Sequence, residues 1–162
     1  MIPTRRFGRT ELPMPVLSLG GMRFQQSWSD LAADAIEAES QRNVEATLAA
    51  SVAAGFHHVE TARYYGTSEL QLGPALARHP DPERILQTKI PPRDDPAAFE
   101  AELERSFALL GVTATHVATT LTDSEIWIYV MLSKPGSITC RAVPDSMVYP
   151  TADDQMAVNP SG

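Results

Sequence analysis

The run His58-Val59-Glu60-Thr61-Ala62-Arg63-Tyr64-Tyr65-Gly66 and the later Ile85-Leu86-Gln87-Thr88-Lys89-Ile90 each read as a buried strand ending in polar groups. Together they offer a carboxylate, a phenol and an ammonium. That set suits protonation of a carbonyl oxygen while hydride arrives at the carbon. A phenol titrates near pKa ~10 and is a weak acid at neutral pH, but an adjacent cation favours its phenolate by about 1 to 3 units. A carboxylate beside the amine would hold it in place and keep it charged, which completes a general-acid relay. Lys89 stands out because the chain otherwise uses arginine, with Lys134 its only other lysine; a compact ammonium is not interchangeable with a guanidinium. Each residue alone has an ordinary reading. A strand-end lysine snorkels to water, a strand-end glutamate is solvated, and a loop tyrosine lies on the surface. Tyr64 and Tyr65 compete for the phenol role on these grounds, and the weight lies in the combination.

The elements that must bring these groups together are legible in the apolar pattern. Arg5 to Leu12 reads as a short hairpin, and Val16 to Gly21 as a buried strand ending in glycines. Residues 23–39 have no clear period and read as a loop with one helical turn. Val44, Leu48 and Val52 recur every fourth residue and Gly55 supplies a left-handed stop, so a helix is expected over about 40–54. Phe56 to Ala62 is the next strand. Ser68 and Gln71 have capping-box spacing, Leu72 and Leu76 mark the inner face of a second helix, and His79-Pro80-Asp81-Pro82 ends it. Ile85 to Ile90 is a third strand, closed by Pro91 and Pro92. Asp95 and Pro96 fit the cap and first turn of a third helix with stripe Phe99, Leu103, Phe107 and Leu110, stopped by Gly111. Alternating strands and helices imply right-handed crossovers and a parallel sheet. Further on, His116 to Leu121 fits a fourth strand, and Ile126 to Leu132 either a strand or a buried helical turn. From Ser133 the scattered prolines and polar residues predict little regular structure.

Five pieces recur here in a specific order: Arg6-Phe7-Gly8-Arg9-Thr10; Leu19-Gly20-Gly21-Met22-Arg23; Glu60 to Gly66 with Ser68-Glu69-Leu70-Gln71-Leu72-Gly73; Thr88-Lys89; and Leu109-Leu110-Gly111-Val112. In that order, residues 5–112 resemble the aldo-keto reductases. The resemblance implies an α/β fold, the N-terminal half of a (β/α)8 TIM barrel preceded by a β-hairpin, and reduction of aldehydes and ketones with NADPH. It makes Tyr65 the proton donor, Lys89 the residue that tunes it, and Glu60 the support of the lysine and of the nicotinamide end. Gly21 and Met22 would border the nicotinamide. The family usually carries aspartate where this chain has Glu60. After the third helix it also expects a strand ending in a histidine that orients the substrate carbonyl. Here Thr113 to Leu121 puts His116 near the start of that strand, and His57, His58 and His79 lie outside the motif position. A TIM barrel needs eight strands and at least about 200 residues. The loops that hold the adenosine and phosphates of NADPH belong to its second half, and no Gly-x-Gly-x-x-Gly or phosphate loop replaces them. The expectation is therefore a half-barrel over 1–112 and a non-matching, poorly ordered tail over 113–162, as in a truncated or frame-shifted copy.

Composition narrows the partners. A net charge of −7 over 162 residues disfavours nucleic acid and anionic membrane surfaces. The longest apolar run, Ile126 to Leu132, falls far short of the roughly 20 residues that span a bilayer. Met1 to Leu12 is basic and polar without the apolar stretch of a secretory signal. Lone Cys140 and four histidines give no metal-ligand spacing, and His57 and His58 point to opposite faces of a strand. The leading expectation is a cytoplasmic protein derived from a reductase of small carbonyl compounds, whose activity requires another subunit or fragment to supply the cofactor clamp and the histidine. The alternative is a non-catalytic binding or assembly module, because an open half-barrel exposes a sheet edge through which copies could associate. A flavodoxin-like domain also fits the strand-helix rhythm but leaves the Tyr-Lys-Glu set unexplained.

Overall fold

A computed structural model describes residues 2–7, 12–113, 115, 117–121, 126–131 and 140–144 of the chain. The chain opens with β1 (Thr4–Arg6) paired antiparallel to β2 (Pro13–Pro15), so the expected hairpin is present with its second arm beyond Leu12. The strand expected over Val16 to Gly21 shrinks to β3 (Leu19–Gly20). Val16 and Leu17 are about half exposed rather than buried, at 49% and 51%. The cause is local: the Val16 amide donates to Pro3 O, back in the hairpin, so the sheet ladder starts only at Leu19. Two short 3-10 turns, Gly21–Arg23 and Ala33–Ala35, occupy the following loop.

Helix α1 (Ala38–Ala53) buries Val44 and Leu48 and is followed by Gly55 at φ 84. Strand β4 (His58–Glu60) is shorter than the expected run to Ala62, yet Thr61 and Arg63 still donate to Gln87 O and Lys89 O. Helix α2 (Ser68–Arg78) corrects the expected cap. Thr67, not Ser68, is the N-cap residue. The Ser68 hydroxyl is buried and donates to Gly21 O at 2.8 Å, while the Thr67 hydroxyl and Gln71 Oε1 together receive the Gln26 amide. Cap chemistry here ties down the preceding loop instead of closing a box. Strand β5 (Ile85–Lys89) leads to α3 (Pro96–Leu110), whose Asp95 cap accepts from the Ala97 amide and whose end is Gly111 at φ 68.

Strands β3, β4, β5 and β6 (Val117–Leu121) run parallel in that order. Then the alternation stops: β7 (Ile126–Met131) and β8 (Cys140–Pro144) add antiparallel. After Ser133, where the sequence predicts little regular structure, the described residues form one short strand, Cys140–Pro144. It pairs antiparallel with β7 at the edge of the sheet, and that pairing, not local periodicity, defines it. His116, Leu132 and residues 145–162 lie outside the described residues.

Successive strand side chains face opposite ways. Val59 and Leu86 face the helices and pack with Val44, Leu48, Leu72, Ala75, Leu76 and Leu110 in one core. Ile90, Leu103 and Phe107 form a second cluster. Each of the Val, Leu, Ile and Phe side chains contributes about 1.5–3 kcal/mol on burial. Gly73 has the Leu109 carbonyl where a Cβ would stand, so α2 and α3 touch through backbone. His58, Glu60, Gln87 and Lys89 occupy the opposite face of β4 and β5, which is polar. Among the described residues no helix is long and apolar enough to cross a membrane.

Candidate active site

Glu60 and Lys89 end adjacent parallel strands on the same face, because Glu60 pairs in register with Gln87, two residues before Lys89. Beyond β4 the chain turns through Ala62 to Gly66, with the Tyr65 amide donating to Ala62 O. Gly66 makes that turn possible. It sits at φ 54, and the backbone of Ser27 and Trp28 fills the space a Cβ would need. The Tyr65 phenol thereby returns over the strand ends.

Lys89 Nζ donates to Tyr65 Oη at 3.0 Å and to Thr61 O at 3.0 Å, and it is in ion-pair contact with Glu60. Tyr65 Oη in turn donates to Glu60 Oε1 at 3.4 Å, and the ammonium lies 4.5 Å from the Tyr65 ring centre. Burial pushes the Lys89 ammonium down to about 8. Tyr64 takes a different course: its ring is 61% exposed, with the Arg93 guanidinium 5.8 Å from its centre. Position thus separates two phenols that composition left equal. Ala62, Tyr64, Tyr65, Lys89, Ile90, Pro91 and Pro92 line a pocket of about 300 Å³ against this cluster.

Gly21 is buried, and a Cβ on it would come within 2.8 Å of Glu60 O, so glycine lets the 3-10 turn close on the end of β4. Met22 beside it is 40% exposed. The pocket itself has the size of a small organic molecule. At about 300 Å³ the pocket is too small for a whole dinucleotide. Of a dinucleotide it has room for one ring end.

Several site neighbours escaped the sequence reading. Arg63 is only 6% exposed and makes paired bonds to Asp30, at 3.1 and 2.6 Å, with Glu102 Oε2 3.3 Å from its Nε. It joins the β3–α1 loop to α3. Glu69 is fully buried and accepts from Thr88 (2.6 Å) and Ser106 (3.0 Å); burial raises its pKa against those two bonds. His58 lies between Ser18 (2.6 Å) and Gln87 (3.0 Å), and burial lowers its pKa. His57, by contrast, contacts Asp81 and Glu83. The available signal was a charged residue flanked by core positions, as with Glu69 between Ser68 and Leu72.

The sequence profile of the Aldo/keto reductase family matches residues 16–119. The chain belongs to the aldo/keto reductase family. The match starts after the hairpin and continues through Thr119 in β6, past the Val112 limit of the resemblance read from motifs. A Pseudomonas aeruginosa protein assigned to the aldo-keto reductases is similar at 26% identity and TM-score 0.60, over 74% of this chain and 48% of that one. A second such structure from that organism gives 25% and 0.58, over 74% and 46%. A thermostable aldo-keto reductase in complex with the inhibitor epalrestat shares the fold, with TM-score 0.61 at 19% identity, over 71% of this chain and 41% of its own. This chain thus spans under half the length of these structures. No curated protein matches it. As in other aldo/keto reductases, the fold is a TIM barrel, here its N-terminal part.

Proposed function

We propose that this chain carries the proton-donating part of a carbonyl reductase site that works with NADPH. The observation behind this reading is the 3.0 Å contact of Lys89 Nζ with Tyr65 Oη at the ends of adjacent parallel strands. A small aldehyde or ketone enters the pocket with its oxygen toward Tyr65. Tyr65 donates its proton to that oxygen as negative charge develops there, and the Lys89 ammonium stabilises the phenolate left behind. Glu60 fixes the ammonium, while Ile90, Pro91 and Pro92 keep water from the reacting oxygen. NADPH, when bound, supplies the hydride; Gly21, Met22 and Glu60 border its nicotinamide. A cytoplasmic location belongs to this reading.

The test is NADPH oxidation with a reactive aldehyde. Replacing a general acid typically costs about 10²–10⁴-fold, so Tyr65→Phe is expected to lower turnover by at least about 10²-fold. Unchanged turnover removes Tyr65 from the role. A second reading is favoured by the position of β3 at the outer edge of the sheet, next to half-exposed Val16 and Leu17. It is self-association through that edge in a non-catalytic assembly module. Light scattering over a concentration series tests it, and a constant monomer mass would exclude it.

A further inference from the structure

Lys89 has a second chemical capacity besides tuning a phenol. Its amine borders an apolar pocket, beside one acid and one carboxylate, in an arrangement contained within the described residues. We propose that Lys89 is a covalent capture site for uncharged, preferably aromatic, aldehydes, which it binds as an iminium ion without any nicotinamide nucleotide.

The placement supports each part of this. Ala62, Ile90, Pro91 and Pro92 give the pocket an apolar wall, and the rings of Tyr64 and Tyr65 give it flat surfaces. An amine in such a pocket is activated because burial disfavours its charged form. For Lys89 burial lowers the pKa to about 8, so a far larger fraction is neutral at pH 7 to 8 than for a solvated lysine. Glu60, Tyr65 and Thr61 O surround the nitrogen, and His58 and Gln87 lie further down the same face.

The steps balance. Glu60 takes one proton from the ammonium, leaving a neutral amine and a carboxylic acid. The amine lone pair forms a bond to the aldehyde carbon, and the carbonyl π pair moves to oxygen, which takes the Tyr65 proton. The nitrogen returns a proton to the Tyr65 phenolate, giving a carbinolamine. Glu60 then protonates the carbinolamine hydroxyl, the C–O bond breaks and water leaves, and the nitrogen lone pair closes C=N. The ammonium and aldehyde have become an iminium and one water. The iminium keeps its positive charge against the Glu60 carboxylate, where the ammonium had been. An apolar wall that limits water access also slows hydrolysis back.

The reducing end of this site plays no part, so the inference stands apart from the reductase reading. Benzaldehyde with sodium cyanoborohydride, in the absence of nicotinamide nucleotide, converts the iminium to a stable benzylamine that peptide mass spectrometry locates. Lys134, the only other lysine, is the internal reference. At pH 7.5 Lys89 is expected to label at least tenfold faster than Lys134, and this advantage is expected to vanish in urea. Tyr65→Phe is expected to slow Lys89 labelling severalfold without changing that of Lys134. Equal labelling of the two lysines in the folded chain, or an advantage that survives unfolding, would overturn the proposal. Labelling without NADPH turnover leaves capture standing and counts against the reductase reading. Turnover without labelling does the reverse.

Discussion

At the level of single residues, the site is a balance between burial and pairing. Lys89 is pushed down to about 8 by burial, from the 10.5 of a solvated lysine. Between those values the folded chain binds fewer protons than the unfolded one, so stability should rise with pH through this window. Lys89→Met should abolish that rise, which urea midpoints between pH 7.5 and 10.5 would show. The reductase activity proposed above should move the other way in the wild type, declining above pH 8 as the Lys89 ammonium is lost. Glu69 shows the complementary sign. Burial raises its pKa above 4.5, so the folded state binds more protons as pH climbs past that value and stability falls. Glu69→Gln keeps an acceptor for Thr88 or Ser106 and removes the charge. Its urea midpoint should gain on the wild type from pH 4.5 to 7.5, and a constant gap would contradict the assignment.

At the level of elements, what matters is how the loop after β3 is seated on the turn after β4. The Thr67 amide donates to Ser27 O, the Gln26 amide reaches Thr67 and Gln71, and Asp30 grips Arg63. These contacts are possible because Gly66 has no side chain. Gly66→Ala combines a strained positive φ with a collision against Ser27 backbone, and should cost about 1–3 kcal/mol in urea denaturation. The same variant should displace Tyr65 and lower proton-donor activity more than its stability loss explains. The Arg63 hydrogen bonds hold the Asp30 carboxyl below its ordinary pKa. That part of the seating is present at neutral pH and should be lost as pH falls through the acid range.

At the level of the whole molecule, one core joins α1, α2 and α3 to β4 and β5. Leu72 is fully buried at its centre. Leu72→Ala should cost about 2–5 kcal/mol. Because the core is shared, hydrogen exchange should accelerate at Val59 and Leu86 as well as within α2, as expected of one cooperative unit. Acceleration confined to α2 would show that helix and sheet open separately. The β1–β2 hairpin contributes little to this core and should exchange first.

The sequence alone determined the three helices and the strand cores, since a period near 3.6 with Asp95 and Gly111 at the ends of α3 is local information. It also put Glu60 and Lys89 at the ends of strands whose parallel order follows from the alternation, with Tyr64 and Tyr65 both just beyond the first. Tertiary structure decided what depends on partners far along the chain. Val16 bonds to Pro3 and so leaves the sheet, Ser68 serves Gly21 instead of its own helix end, and Cys140–Pro144 becomes a strand against β7. It likewise decided that Tyr65, not Tyr64, faces the amine. Local patterns record which face a residue can present, but hydrogen bonds and burial between distant segments determine which face is used.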